Sequence, residues 1–219
     1  MERHVSLDEI SDGKLYTLND MVKADCQDCA GCSACCQGMG ESIVLDPMDI
    51  YRLSAGLNQR FDELLATGVE LHVVDGVILP NLKMAGDQER CVYLNDAGRC
   101  SIHSYRPGIC RLFPLGRVYE DHSFQYFLQV HECKKNNRTK IKVKKWLDIP
   151  DAARYDRYIN DWHYFIKDIQ EQVRAMEDEQ AVKAICLSIL KEFYMTPYDT
   201  DADFYPQFTN RLDYFRNNL

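Results

Sequence analysis

Five cysteines fall in the eleven residues from Cys26 to Cys36, spaced C-x2-C-x2-C-x2-C-C: Cys26, Cys29, Cys32, Cys35 and Cys36. Neither a helix, with its 3.6-residue period, nor a strand, with its period of two, puts all five on one buried face. Two intervening residues let the chain turn and aim two thiolates at one ion, a recurrent spacing in zinc and iron–sulfur sites. Three such steps in succession are hard to explain by packing. They predict a loop wrapped around something over residues 26–40, which are too rich in Cys and Gly for a regular element.

The redox setting decides how ten cysteines are read. Residues 1–18 lack the apolar core of a signal peptide and carry acids that a transit peptide avoids. No stretch approaches the ~20 apolar residues of a membrane span. These features predict a cytoplasmic protein with no membrane association, whose thiols stay reduced and serve metals rather than disulfides. A formal net charge of −8 argues against binding nucleic acid or anionic membrane over the whole surface. With 219 residues, 46% of them hydrophobic, the chain can bury a core without a metal staple. The metal must therefore be argued from the cysteines themselves.

The remaining pattern predicts an α+β fold: a small, irregular, Cys-rich metal-binding core with hairpins and short helices, then a C-terminal helical part. Asp12-Gly13 predicts a turn and residues 14–18 a short strand. Asp46, Pro47 and Asp49 mark a helix start, with Ile50, Leu53 and Leu57 on one face. A second short helix follows Asn58, with Phe61, Leu64 and Leu65 as its apolar side. Residues 71–79 read as a hairpin about Asp75-Gly76. Another hairpin is expected around Asn95 to Gly98, and strands over residues 124–130 and 140–145. From Asp151 the period becomes helical: Tyr155, Tyr158, Ile159, Trp162, Phe165, Ile166, Ile169 and Val173 share a stripe. A further helix covers residues 179–194. Pro197 and Pro206 break the tail before a last helical run near residues 209–218. The expected division is a cysteine-cluster domain over 1–148 and a helical extension over 149–219 packed on it.

A second group of cysteines is dispersed: Cys91, Cys100, Cys110 and Cys133. Cys91 and Cys100 flank the predicted Asn95–Gly98 hairpin, which would bring them together. Arg106 and Arg111 stand on either side of Cys110, where guanidinium groups can donate to sulfur and offset excess thiolate charge. Ordinary surface ion pairs would explain the same arginines. Cys186 lies on the apolar face of a helix and reads as a small buried hydrophobe.

Three motifs in order carry a resemblance. They are Cys29-Ala-Gly-Cys32-Ser-Ala-Cys35-Cys36, then Cys91-Val-Tyr-Leu-Asn-Asp-Ala-Gly-Arg-Cys100-Ser-Ile, then Arg106-Pro107-Gly108-Ile109-Cys110-Arg111-Leu112-Phe113-Pro114. Over about residues 26–133 the chain resembles the YkgJ-like cysteine cluster family, known as a zinc- or iron-chelating CxxCxxCC domain. The resemblance implies eight ligands: Cys29, Cys32, Cys35, Cys36, Cys91, Cys100, Cys110 and Cys133. Cys26 is extra to the pattern and enters as a ninth candidate. Position 103 is His where the family more often has Tyr, so it is not carried over. The segment is also distantly similar to the cysteine region of flagellin lysine methylases, which implies an enzymatic alternative. Against it stand the absence of a G-x-G-x-x-G loop, the absence of a C-x3-C-x2-C triplet, and a chain short for a complete methylase.

The cofactor is thus an iron–sulfur cluster or zinc. Four thiolates close one zinc tetrahedron or one [4Fe–4S] cube. Eight ligands make two sites; nine make one polynuclear zinc cluster with shared thiolates. Cys26, Cys29 and Cys32 reproduce the first three cysteines of a bacterial ferredoxin run, without its fourth spacing or following Pro. Vicinal Cys35 and Cys36 point in nearly opposite directions in extended chain, which suits two centres or one large one. Two functions remain open: a metal-binding protein with a structural or redox role, or an enzyme or enzyme subunit such as a cluster-dependent protein lysine methylase or oxidoreductase component. The one candidate nucleic-acid patch runs from Lys134 to Lys145, seven basic residues and no acid. It has no aromatic platform and reads first as a solvated strand face. A protein partner stays open. His131, close to Cys133, is a weak ligand candidate; His163 reads as a partly buried helical side chain.

Overall fold

Along the computed structural model, which describes residues 6–27, 29 and 32–218, the elements follow the sequence punctuation. Helix α1 (Leu7–Ile10) leads into strand β1 (Ser11–Tyr16), followed by β2 (Met21–Asp25). The cysteine run holds one 3-10 turn, Ala34–Cys36. Helices α2 (Pro47–Leu57) and α3 (Phe61–Thr67) precede the hairpin β3 (Val69–Val74) and β4 (Val77–Leu82). Two short strands, β5 (Met84–Ala85) and β6 (Arg90–Cys91), come next, then α4 (Gly108–Leu112). Strands β7 (Leu115–Glu120), β8 (Ser123–Gln129) and β9 (Thr139–Lys142) close the sheet-forming part. Helices α5 (Val143–Leu147), α6 (Ala152–Ala175), α7 (Glu179–Leu190) and α8 (Phe204–Asn218) complete an α+β fold with a helical C-terminal region.

The local physics is legible at several of these elements. Asp46 caps α2 in a reciprocal box with Asp49: the Asp49 N–H donates to Asp46 Oδ1 at 2.9 Å, and the Asp46 N–H to Asp49 Oδ2 at 3.1 Å. Asp75 and Gly76 both take positive φ between the paired Val74 and Val77, the backbone that a two-residue hairpin needs. All eight residues of the predicted α6 stripe are buried.

Three expectations are corrected. Asp12 and Gly13 lie inside β1 as an irregularity in its register with β8 rather than as a turn before it. Gly13 has positive φ, and its N–H is held by Ser11 Oγ, so the kink is absorbed as a bulge. Residues 140–145 are not one strand: β9 ends at Lys142, and Val143 starts α5 with its side chain buried. The last helix begins at Phe204, so Pro206 sits in its first turn, where a backbone N–H has no intrahelical acceptor to lose.

The chain forms two compact units that interleave in sequence. One comprises Met1–Gly40, Met84–Ser101 and Gly108–Tyr164; the other comprises Glu41–Lys83, Ile102–Pro107 and Phe165–Leu219. The first is built on an antiparallel sheet of order β1-β8-β7, with separate β2–β9 and β5–β6 pairs. On the β7–β8 hairpin Arg117 lies over the rings of Phe124, Tyr126 and Tyr155, and the Tyr126 hydroxyl donates to Asp156. The second unit packs the β3–β4 hairpin with α7, and Gln170 of α6 donates to the Val74 carbonyl at 3.1 Å. Phe193 there contacts Phe165, Phe208 and Phe215. Among the described residues no helix is long and apolar enough to cross a membrane.

Candidate metal centre

The first unit gathers thiols through its strand pairing. Asp25, the last residue of β2, pairs with Thr139, the first of β9. Cys26 follows the one directly and Cys133 precedes the other by a short loop, so the β2–β9 pair draws them together. Gln27 and Cys29 then take left-handed backbone. The reversal brings the Cys26 and Cys29 sulfurs to 3.4 Å. The Cys32 N–H donates to the Cys29 carbonyl at 3.0 Å, and the 3-10 turn carries Cys35 and Cys36. The spacers Asp28, Ala30 and Gly31 lie outside the described residues.

The result is a small cavity lined by Cys26, Cys29, Cys32, Cys35 and Cys133, with Phe113, Pro114, Glu132, Lys134 and Lys135 also in its wall. It leaves about 20 Å3, room for an atom-sized guest and not for a small-molecule substrate. Burial pushes the Cys133 thiol up from its ordinary range; nearby Cys26 and Cys32 add to the shift, while the Lys135 N–H and Arg138 oppose it.

A second gathering forms on the other side of Cys35. Gln37 bridges to Arg90, and the Gly38 N–H donates to the Gln88 and Glu89 carbonyls, so the end of the cysteine run lies along β6. Cys91 belongs to β6 and pairs with Met84. The expected hairpin around Asn95 to Gly98 is present as a tight loop: Leu94 bridges to Cys100, and Arg90 Nη2 donates to the Leu94 and Asn95 carbonyls at 2.9 and 2.6 Å. Burial raises the Cys91 thiol, and the charges of Cys100 and Cys35 raise it further. Each raised thiol is protonated in the metal-free protein, so metal binding must displace its proton.

The other candidates are placed as follows. Cys36 and Cys110 do not line the cavity. Cys110 stands on α4, just before the wall residues Phe113 and Pro114. Arg111 is buried; its Nη1 donates to the Asp148 carbonyl at 3.1 Å and lies 3.5 Å from the Asp148 carboxylate. Arg106 belongs to the second unit, where it meets His103 Nε2. His131 is exposed, and His163 stacks on Tyr119. Cys186 is buried in the second unit, 3.7 Å from the Gly76 carbonyl. Among the described residues no disulfide is present. Nor do three Cys, His, Asp or Glu side chains there converge as a closed metal-holding group. The donor set itself fits zinc or iron–sulfur: soft thiolates with no oxygen cage. Sequence reasoning missed Lys134 and Lys135 as wall residues. Their adjacency to Cys133 in the run Glu132-Cys133-Lys134-Lys135 was the signal available.

Residues 28–144, over half of the chain, match the family model CxxCxxCC, "Putative zinc- or iron-chelating domain". The chain belongs to that family. Cys26 stands two residues before the matched segment. No curated protein and no solved structure is significantly similar to the chain.

Proposed function

We propose that this chain carries a metal centre held by cysteine thiolates, iron–sulfur in preference to zinc, with a redox or structural role in the cytoplasm. One observation carries the reading: five thiols from two stretches of chain, the run from Cys26 to Cys35 and the remote Cys133, line a single small cavity. Gathering that many part-buried thiols around a void has no use in packing, and holding them there as thiolates is costly without a cation between them. The ligand candidates are Cys26, Cys29, Cys32, Cys35, Cys36, Cys91, Cys100, Cys110 and Cys133. Arg111, which belongs to the same compact unit, is proposed to offset their charge. The preference for iron rests on the family resemblance and on three cysteines in C-x2-C-x2-C steps meeting remote Cys133. The cavity, which has room for one atom and holds two sulfurs 3.4 Å apart, would have to open to admit a cluster. An iron–sulfur cluster would supply one-electron chemistry and zinc would supply folding energy alone. The protein's part is to hold the thiols together, exclude water with Phe113 and Pro114, and set positive charge at the wall with Lys134 and Lys135. Anaerobic purification, metal analysis and a visible spectrum test this. Brown protein with iron and sulfide supports it; colourless protein holding zinc overturns the iron preference; protein without bound metal overturns the whole reading.

A further inference from the structure

We infer that the cysteines divide between two centres, and that Cys26, outside the family's matched segment, is a ligand of the first together with Cys29, Cys32 and Cys133. The division deepens the metal-centre reading and rests on it. Three independent features of the chain place the first set. The Cys26 and Cys29 sulfurs are 3.4 Å apart. Cys26, Cys29, Cys32 and Cys133 all line the same cavity. The β2–β9 pairing of Asp25 with Thr139 fixes the two ends that carry Cys26 and Cys133. A four-thiolate set is complete for a tetrahedral ion or a cubane.

The second set is anchored elsewhere. The Gln37–Arg90 bridge lays the end of the run against β6, and the Leu94–Cys100 bridge folds Cys100 back toward Cys91. Cys91 and Cys100 are absent from the lining of the first cavity, whereas Cys35 lines it and stands two residues before Gln37, which bridges to Arg90 next to Cys91. Cys35 is thus the hinge thiol. In two-cluster ferredoxins the first three cysteines of a run serve one cluster with a remote cysteine, and the fourth crosses to the other. Cys35 is the fourth here, with Cys91 and Cys100 as its partners. Cys36 and Cys110 are the thiols left in the family segment to complete that shell. Cys26 is what lets the first shell fill while Cys35 serves the second: without it, Cys29, Cys32 and Cys133 would need Cys35 as their fourth thiolate.

The test uses the full-length chain reconstituted anaerobically with ferrous iron and sulfide. Iron per chain is compared for the wild type, Cys26→Ala, Cys133→Ala, Cys91→Ala and Cys100→Ala, and for the pairs Cys26→Ala/Cys133→Ala and Cys26→Ala/Cys100→Ala. Each single variant should lose one part of the iron and keep the rest. The Cys26/Cys133 pair should lose no more than either single variant, and the Cys26/Cys100 pair essentially everything. Unchanged iron in Cys26→Ala, total loss in any single variant, or total loss in the Cys26/Cys133 pair would overturn the division. Should the protein hold zinc, the same pattern read in zinc keeps the division while the iron preference fails. Where a variant does not fold, wild-type protein stripped with graded chelator and pulsed with iodoacetamide answers the same question. Cys26, Cys29, Cys32 and Cys133 should become alkylated as one set, separately from Cys91 and Cys100. Release of all of them in one step would overturn the proposal.

Discussion

Cys26 Sγ lies 3.4 Å from Cys29 Sγ, held there by left-handed backbone at Gln27 and at Cys29. Two thiols this close, without metal between them, are well placed for intramolecular oxidation. In metal-free protein a brief exposure to diamide, a two-electron thiol oxidant, should join Cys26 to Cys29 before any other pair. The metal-loaded protein should resist, because ligated thiolates are unavailable to the oxidant. Peptide mass mapping reads both results. A first disulfide elsewhere, or equal oxidation of loaded protein, would contradict the placement.

Cys186→Ser should leave metal content unchanged. The thiol is buried in the second compact unit and faces the Gly76 carbonyl at 3.7 Å. The shorter C–O bond leaves a serine hydroxyl beyond hydrogen-bond reach of that carbonyl, so the cost is about 1–3 kcal/mol, that of burying such a group without a partner. For a chain of this size that is a fall in Tm of about 2–4 °C per kcal/mol. Loss of metal in this variant would sink the assignment of Cys186 to packing.

How much the sequence revealed depended on the range of the interaction. The capping box at Asp46 and Asp49, the Asp75-Gly76 hairpin and the α6 stripe are local, and their residues announce them within a few positions. The cysteine run was legible for the same reason: its spacing is itself a geometric constraint. The meeting of Cys26 with Cys133 was not, because it follows from the long-range pairing of β2 with β9. The alternating lysines of residues 140–145 suggested one strand, but burial of Val143 and Leu147 turned their second half into α5. The partition about Cys35 likewise needed the Gln37–Arg90 bridge, which no local pattern signals.

Gly116 offers a steric test of the β7–β8 pairing. It pairs with Phe127 across β7 and β8, and a Cβ there would come within 2.3 Å of the Phe127 ring. Phe127 is buried and has little room to retreat. Gly116→Ala should therefore cost about 1–3 kcal/mol, as overpacked cores do. Adding Phe127→Leu should return part of that loss by vacating the ring's space. Urea midpoints of the three variants decide it; an unshifted midpoint for Gly116→Ala would show that the ring moves freely.

Arg111→Gln should lower stability by about 1–3 kcal/mol. The buried guanidinium donates to the carbonyl of Asp148, the residue that ends α5 in left-handed backbone. A shorter neutral amide loses that part-buried hydrogen bond and the approach to the Asp148 carboxylate at 3.5 Å. Arg111→Lys should recover less than half of the loss, since a point-like ammonium cannot reproduce the fork. Thermal melts of metal-loaded protein measure this, and equal melts for all three proteins would refute it.

Lys134 and Lys135 line the cavity beside Cys133, and Lys135 also turns its backbone N–H to the Cys133 sulfur. A centre with four thiolates carries net negative charge, and nearby ammonium groups lower the free energy of holding it. Lys134 is exposed, which keeps the effect modest. The double variant Lys134→Gln/Lys135→Gln should lose metal to a chelator a few-fold faster at low salt. The difference should shrink toward 1 M salt, where the screening length falls to about 3 Å. Lys144→Gln/Lys145→Gln removes the same charge from the same basic stretch, yet neither residue lines the cavity. That control should strip at the wild-type rate. If the two double variants behave alike, the effect is one of general surface charge, and the wall lysines have no special bearing on the centre.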